Sequence, residues 1–390
     1  MANSYLNSTI ILNEAMRVLH NRLTFVKNIN RQYDNSFQQY GAAGKPGTQL
    51  KIKLPNAYSV RTGLVASPQS TNESSVTLTV ADVAGVDLEF NDIELRMNIN
   101  DFSKQHLEPA MAVLASYLEG QAFNMVKDIY NAVGTPGTTP TTATEILAAK
   151  TMLKKYLAPD DGTWSLICNG TMEASMVNAF STLFHANKQI EKQYLQGSMG
   201  KALGFNWYST EMVPVHTMGA DHTTVTVNGA NQSGATLTLA GGSFAAGDII
   251  TCAGCYAVHP ETKTAYNHLQ QFVVTAASTT SVPISPSIIL SGAKQNVSAS
   301  PDDSGVVTAV GTASTNYPMN IGFHKDAFTF VTADLELPKG MDMAERKTYD
   351  GVNLRFLRGY DITNAKYICR FDVLYGYKTL RPELACRIWG

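Results

Sequence analysis

The sequence predicts a mixed α+β fold interrupted by a small all-β domain, and three observations predict it. The first is a long stretch, Ser103–Val133, whose apolar residues recur at helical spacing. The second is a set of short segments with period-2 alternation on either side of it. The third is a change of composition at Asp221–Thr315, where Thr, Ser, Ala, Gly and Val dominate and helical periodicity fades.

Taken in order, Ser8–Leu23 places Leu12, Ala15, Met16, Leu19 and Leu23 on one helical face, with Ser8 available as a cap. The polar stretch Thr24–Gly47 follows and closes on Gly41-Ala-Ala-Gly44 and Pro46-Gly47, so the first 47 residues read as a loosely tethered amphipathic arm. Thr48–Leu54 alternates Leu50, Ile52 and Leu54 against Gln49, Lys51 and Lys53, and Ser75–Val80 alternates Val76, Leu78 and Val80 against threonines. These are two half-buried strands of a long hairpin, joined by the polar span Asn56–Ser74. A two-stranded ribbon is marginal alone, so this one is expected to lie on a neighbouring subunit.

Ser103–Val133 carries Leu107, Met111, Leu114, Leu118, Ala122, Met125, Ile129 and Val133 along one stripe and ends at Gly134-Thr-Pro-Gly137. As a helix it would run about 45 Å and form the spine of a domain. Thr142-Ala-Thr-Glu145 reads as a capping box opening a helix with Ile146, Leu153 and Leu157 on one face, stopped at Pro159-Asp-Asp-Gly162. A strand at Trp164–Cys168, a helix from Asn169 through Phe184 and a strand at Phe205–Val213 complete an α/β block. Within Asp221–Thr315 the strand candidates are Thr223–Asn228, Ala235–Ala240, Asp248–Cys252, Gln270–Ala276 and Ser285–Leu290, a small barrel or sandwich. From Ile321 the chain returns to long apolar strands, and no internal repeat is visible.

At 390 residues and 44% hydrophobic the chain can bury more than one core. Only 16% of residues are charged, against about 25% in a typical soluble chain. That low fraction fits a surface covered by other copies. The net charge of -2 excludes a strongly basic nucleic-acid binder that works by releasing many counterions. Five cysteines, an odd number, argue against a secreted disulfide framework. The start, MANSYLNSTIILNEAMRVL, has only a three-residue apolar cluster at Ile10–Leu12, so no signal peptide is expected. No stretch approaches the roughly 20 apolar residues that span a bilayer.

Few residues suggest chemistry. Cys252-Ala-Gly-Cys255 has the spacing of a redox pair or half a zinc site, with His259 and His268 nearby. It sits in a β-type stretch with no second pair, which favours two strand cysteines without chemistry, and a hydrolase or redox reading rests on this pair alone. Asp160-Asp161 lies between a proline and a glycine and reads as a solvated turn. Lys188, Lys192 and Lys201, with Tyr194 among them, form a mildly basic loop that in a container could face nucleic acid. A binding module gripping an external partner would use Tyr256, Tyr266 and Phe272. No nucleophile elbow or phosphate loop is present, and the expectation is no enzyme, no metal and no cofactor.

The closing stretch resembles the carboxy-terminal segment of tailed-bacteriophage major capsid proteins. The resemblance is carried by His324-Lys-Asp-Ala-Phe328, Glu336-Leu-Pro338, Tyr360-Asp-Ile362, Arg370-Phe-Asp-Val-Leu-Tyr-Gly376 and Arg381-Pro-Glu383. Gly200-Lys-Ala-Leu-Gly-Phe205 with Pro214-Val-His216 is similar to a Gly-x-x-x-Gly-Phe…Pro-x-His stretch of the same proteins. Ala246-Gly-Asp-Ile-Ile250 and Leu269-Gln-Gln-Phe-Val-Val274 resemble the inserted domain of short-tailed enterobacterial phage coat proteins.

The resemblance implies a Hong Kong 97-type capsid fold plus an inserted small β-barrel or sandwich. Its parts are an N-terminal arm (1–47), an extended loop (48–86), a peripheral domain with the spine helix (87–137 and 316–390, helix 103–133), an axial domain (138–220) and the inserted domain (221–315). It implies a self-assembling icosahedral shell of hexamers and pentamers around a double-stranded DNA genome, with a scaffolding protein and a portal as assembly partners and no membrane. The virion capsid, assembled in the bacterial cytoplasm, is the implied location. An encapsulin-like nanocompartment is the alternative within the fold. Some members of the fold join a loop lysine to a neighbour's asparagine. The span Asn56–Ser74 here holds Arg61 and no lysine, so no such crosslink is expected. Candidate subunit-interface residues are Glu14, Arg17, Lys51, Lys53, Arg61 and Glu73. Arg61 with Glu73 near the loop tip, and Arg17 with Glu14 on the arm, suit exposed rim ion pairs worth about 0–1 kcal/mol each.

Overall fold

The computed structural model describes residues 8–33, 49–61, 63–66, 68–69, 73–91, 103–180, 199–341, 343–362 and 366–390 of the chain. The Gly41–Gly47 linker, the basic loop around Lys188, Lys192 and Tyr194, and the end of the helix expected to reach Phe184 lie outside the described residues. The fold is mixed α+β and packs as two compact units.

The first unit comprises Met1–Ile52, Ser75–Phe123 and Phe328–Lys378. Its helix Ser8–Arg22 buries Leu12, Ala15, Met16 and Leu19, the stripe the sequence indicates. Gln49–Lys53 and Ser75–Thr79 form a separate two-stranded sheet with alternating burial, Ile52 and Leu78 inward and Lys51 and Thr77 outward. A five-stranded sheet runs Phe328–Ala333, Lys366–Thr379, Val352–Asp361, Met343–Tyr349, with Asp82–Asn91 also paired to the long Lys366–Thr379 strand.

The helix expected over 103–133 is shorter and less regular. Ser103–Leu107 is one wide turn, Glu108–Phe123 is α-helix, and Asn124–Asp128 tightens to 3-10. Pro109 has no N–H to give, so regular helix starts where that loss costs nothing. At the other end Ala132–Val133 is a strand, paired in parallel with Arg387–Ile388. Leu114, Leu118, Ala122, Met125 and Ile129 are all buried, but in three different backbone conformations.

The second unit comprises Lys53–Ser74, Asn124–Ala327 and Thr379–Gly390. Its mixed six-stranded sheet runs Ala132–Val133, Ala385–Ile388, Asn320–His324, Trp164–Cys168, Phe205–Ser209, Lys201–Ala202. The central strands Asn320–His324 and Trp164–Cys168 are buried at every position, their polar Asn320, His324 and Ser165 included. Helix Thr144–Lys155 packs on this sheet with Ile146 and Leu153 buried. Thr142 Oγ1 donates to Glu145 at 3.1 Å and accepts from the Thr144 N–H at 3.3 Å. The helix stops at Lys155, and Leu157 leaves its face in a left-handed conformation. In helix Gly170–Phe180 the Asn169 side chain caps the Met172 N–H at 3.0 Å.

The remainder of this unit is an antiparallel sheet in the order Val307–Ala309, Ile249–Val258, Ala265–Val274, Ser281–Ile288, Gly234–Ala240, Thr226–Val227. Its two edges meet through the Thr226–Val306 bridge and the bonds Val227 N–H to Gly305 O and Val307 N–H to Val225 O, which close it into a small barrel. Leu237, Ile250, Phe272, Val282 and Ile284 fill its interior. Burying each such side chain contributes about 1.5–3 kcal/mol. The chain enters and leaves this barrel through a two-stranded neck, Val215–Thr217 against Asn316–Pro318.

Candidate assembly surfaces

The loop between the hairpin strands is the most exposed apolar element described. At its base Lys53 and Glu73 pair at 2.7 Å and the Leu54 N–H donates to Ser74 O at 2.9 Å. Higher up, Gln69 links the two sides of the loop, accepting from the Ser59 N–H at 3.0 Å and donating to Ser59 O at 2.6 Å. Arg61 curls back to donate to the carbonyls of Gly63 and Val65, the latter at 3.0 Å. This fold-back presents Tyr58, Val60, Leu64 and Val65 outward, Val60 at 93% and Leu64 at 101% of full exposure. Apolar side chains held open in this way make the loop tip a candidate interaction surface.

The six candidate interface residues fall at two places. Glu14 and Arg17 pair with each other within the arm helix at 2.7 Å. Lys51 stands exposed on its strand, Lys53 and Glu73 form the pair at the loop base, and Arg61 lies near the tip, bonded to its own loop rather than to Glu73. Sequence reasoning missed the apolar tip, although Val60, Leu64 and Val65 in an otherwise polar loop were the available signal.

The arm is fastened by buried polar contacts that sequence reasoning did not find. Glu119, 2% exposed inside the helix Glu108–Phe123, accepts from the N–H groups of Thr24 at 2.5 Å, Phe25, and Val26 at 3.1 Å, at the start of the short helix Phe25–Asn28. Burial pushes this carboxyl above the usual range, and the three N–H groups pull the other way. Phe25 stacks on Phe123 at 4.4 Å. Further out, Asp350 accepts from His20 at 2.6 Å and pairs with Arg31 at 3.1 Å, and Thr9 donates to Glu345 at 2.8 Å. On the sheet, Arg370 clamps Asp87 with two bonds of 2.8 and 2.9 Å, and Arg355 holds Asp372 at 2.5 Å.

The residues singled out for chemistry are placed in structural roles. Cys252 and Cys255 both line the barrel core, and burial pushes each thiol up to about 12, so neither is a thiolate at neutral pH. Asp160 pairs with Lys154 at 3.3 Å. Asp161 closes a turn on Thr163, whose hydroxyl and N–H, with His324, hold its carboxyl at about 2 despite opposing desolvation. Among the described residues no group of His, Cys, Asp or Glu is arranged to hold a metal ion. Phe272 is fully buried, which corrects its placement as an external aromatic, while Tyr256 is exposed. A cleft of about 570 Å³ in the second unit is lined by Tyr130, Tyr156, Gln270 and Pro286, but its Lys263 ammonium is spent on the carbonyls of Pro260, Ala293 and Gln295. No described helix is long and apolar enough to cross a membrane.

A family model described as P22 coat protein, gene protein 5, matches residues 1–389. The chain belongs to the P22 coat protein family. It is a tailed-phage major capsid protein, a structural component of the phage coat. Solved structures similar to this coat protein include one from Mycobacterium phage Che8, at 14% identity and TM-score 0.49, covering 94% of this chain and 90% of that one. The mature capsid of bacteriophage PhiM1 matches at 11% identity and TM-score 0.40, over 88% of this chain and 82% of that one. The CUS-3 coat protein I-domain matches at 28% identity and TM-score 0.18, over 26% of this chain and 97% of the domain. No curated protein matches.

Proposed function

We propose that this coat protein builds a closed icosahedral shell of hexamers and pentamers around a double-stranded phage genome. The single observation that carries this reading is the family match over residues 1–389. The layout is of the Hong Kong 97 type: arm 1–47, extended loop 48–86, peripheral domain 87–137 with 316–390, axial domain 138–220 and inserted domain 221–315. Arm and loop embrace neighbouring copies, a reading supported by the exposure of Tyr58, Val60, Leu64 and Val65. Lys51, Lys53, Arg61, Glu73, Glu14 and Arg17 serve as charged rim around those contacts, each worth about 0–1 kcal/mol where exposed. Many such weak contacts, summed and closed by symmetry, stabilise the shell.

A scaffolding protein and a portal take part in assembly in the bacterial cytoplasm, and DNA enters without sequence-specific contacts, consistent with a net charge of -2. The test is electron microscopy of the chain expressed alone and then with its neighbouring genes. Closed shells of one size with the neighbours, and irregular shells or tubes without them, are the expected result. A monodisperse small oligomer under both conditions overturns it, and shells filled with protein instead of nucleic acid turn the reading to a nanocompartment.

A further inference from the structure

A carboxylate with no solvent exposure sits where the barrel joins the rest of the second unit. Asp248, on the turn leading into strand Ile249–Val258, accepts four hydrogen bonds. Two come from imidazoles, His216 Nε2 at 2.7 Å and His222 Nε2 at 3.2 Å. Two come from backbone N–H groups, Gly219 at 3.1 Å and Ala245 at 2.8 Å. His216 belongs to the neck strand Val215–Thr217, Gly219 to the segment just after it, and His222 to the first residues of the barrel segment. One side chain therefore ties the neck strand, the entering chain and the barrel body together.

We propose that His216, Asp248 and His222 form a proton-operated latch at the barrel neck, closed at neutral pH and opened by acid while the barrel and the adjoining sheet stay folded. A carboxylate only accepts, so both Nε2 atoms carry their proton and each neutral ring has Nδ1 left to take another. His222 Nδ1 is buried without a hydrogen-bond partner, and the ring is stacked on Phe244 at 5.2 Å. A second proton on His222 would create a buried unpaired donor and a buried charge at once, so the ring must leave its place. Other charged groups face the cluster. Asp248 already faces one fixed cation, Arg387, whose guanidinium bonds the adjacent Gly247 carbonyl at 2.8 Å. Asp128 faces Arg387 from the turn Asn124–Asp128, Lys127 stands beside Gly247, and Asp221 lies next to His222 on the exposed side. Burial by itself would raise the Asp248 carboxyl, but the imidazole and N–H donors hold it well below the ordinary range, so it remains a charged acceptor in mild acid.

Amide hydrogen exchange on the full-length chain tests this, comparing about pH 7.5 with about pH 5, on either side of ordinary imidazole titration. After correction for intrinsic rates, protection of the Gly219 and Ala245 amides is expected to fall tenfold or more at the lower pH. It should return on neutralisation, while strands Trp164–Cys168 and Ala265–Val274 keep theirs. His222→Gln keeps a donor toward Asp248 but cannot take up the proton, so its neck should hold protection at both pH values. Unchanged protection at the neck in the parent chain overturns the latch. So does loss of protection across barrel and sheet together, or an undiminished acid response in both His222→Gln and His216→Gln. Should one variant fail to fold, the parent chain and the other variant still decide.

Discussion

Three backbone carbonyls converge on the guanidinium of Arg387 in a fully buried site: Val126 O at 3.1 Å, Gly247 O at 2.8 Å and Lys127 O at 2.7 Å. Burial pulls this cation down to about 10, which still leaves it charged at neutral pH. Its planar fork reaches all three acceptors from one position, which an ammonium cannot do. Arg387→Met should therefore cost about 3–5 kcal/mol, the range for removing one partner of a buried charged network, and Arg387→Lys should recover only part of it. Urea midpoints with an unchanged slope would check this, and a loss below about 1 kcal/mol would refute it. Glu119 gives a prediction with a pH sign. Its folded carboxyl is raised above 4.5, so the native state binds the proton more tightly than the unfolded chain. The stability it contributes is fully present below about pH 4.5 and declines as pH rises through its folded value. Glu119→Gln removes that slope, so parent minus variant stability, measured by denaturation from about pH 4 to pH 7, should shrink as pH rises. Neither residue announced itself in the sequence. A lone Arg in a terminal strand and a lone Glu in a helix look like solvated surface until long-range packing places carbonyls or N–H groups around them.

Strand Ile249–Val258 shows where reading elements from sequence succeeds and where it stops. Asp248–Cys252 is legible as a strand, but the six residues that continue it, Ala253–Val258, are not. In the structure Gly254 has φ +79 and sits in a bulge, with the pairing register jumping between Thr251–Gln271 and Tyr256–Leu269. The extra residues reset the side-chain parity, so Cys252 and Cys255, three apart, both face the core instead of opposite faces. A Cβ at Gly254 would lie 2.4 Å from Asp302 Oδ2 in addition to the strain of positive φ. Gly254→Ala should thus cost upwards of about 1 kcal/mol and make Cys252 and Cys255 accessible to a thiol reagent that leaves them untouched in the parent. Slow labelling equal to the parent would show the bulge to be tolerant. The arm helix, the hairpin strands and the helix start at Asn169 were legible because local pattern and tertiary outcome agree. The strand Asp82–Asn91 was missed although Ala84, Val86 and Leu88 alternate with Val83, Asp87 and Glu89. The 103–133 stripe misled because burial along one line persists after helix gives way to strand, and periodicity reports burial, not the backbone that achieves it.

For the molecule as a whole, the proposed assembly contacts and the folded cores use different residues, and that separation can be measured. Val60 and Leu64 contribute nothing to either core, being 93% and 101% exposed, and substituting exposed residues usually changes stability by no more than about 0.5 kcal/mol. If they are covered by another copy in the shell, the same change removes apolar burial at every loop contact. A Leu side chain taken fully from water contributes about 1.5–3 kcal/mol, and each 1.4 kcal/mol is tenfold in a binding constant. Repeated at each neighbour of a closed shell, that loss multiplies. The double variant Val60→Ser with Leu64→Ser should therefore keep the parent's denaturation midpoint as a dispersed chain and fail to form sedimenting particles at concentrations where the parent assembles. Reversing Arg61 to Glu should weaken assembly less, because an exposed charge contributes only about 0–1 kcal/mol. A double variant that assembles like the parent would remove the loop tip from the interface, and one that melts early would show that the tip belongs to the fold.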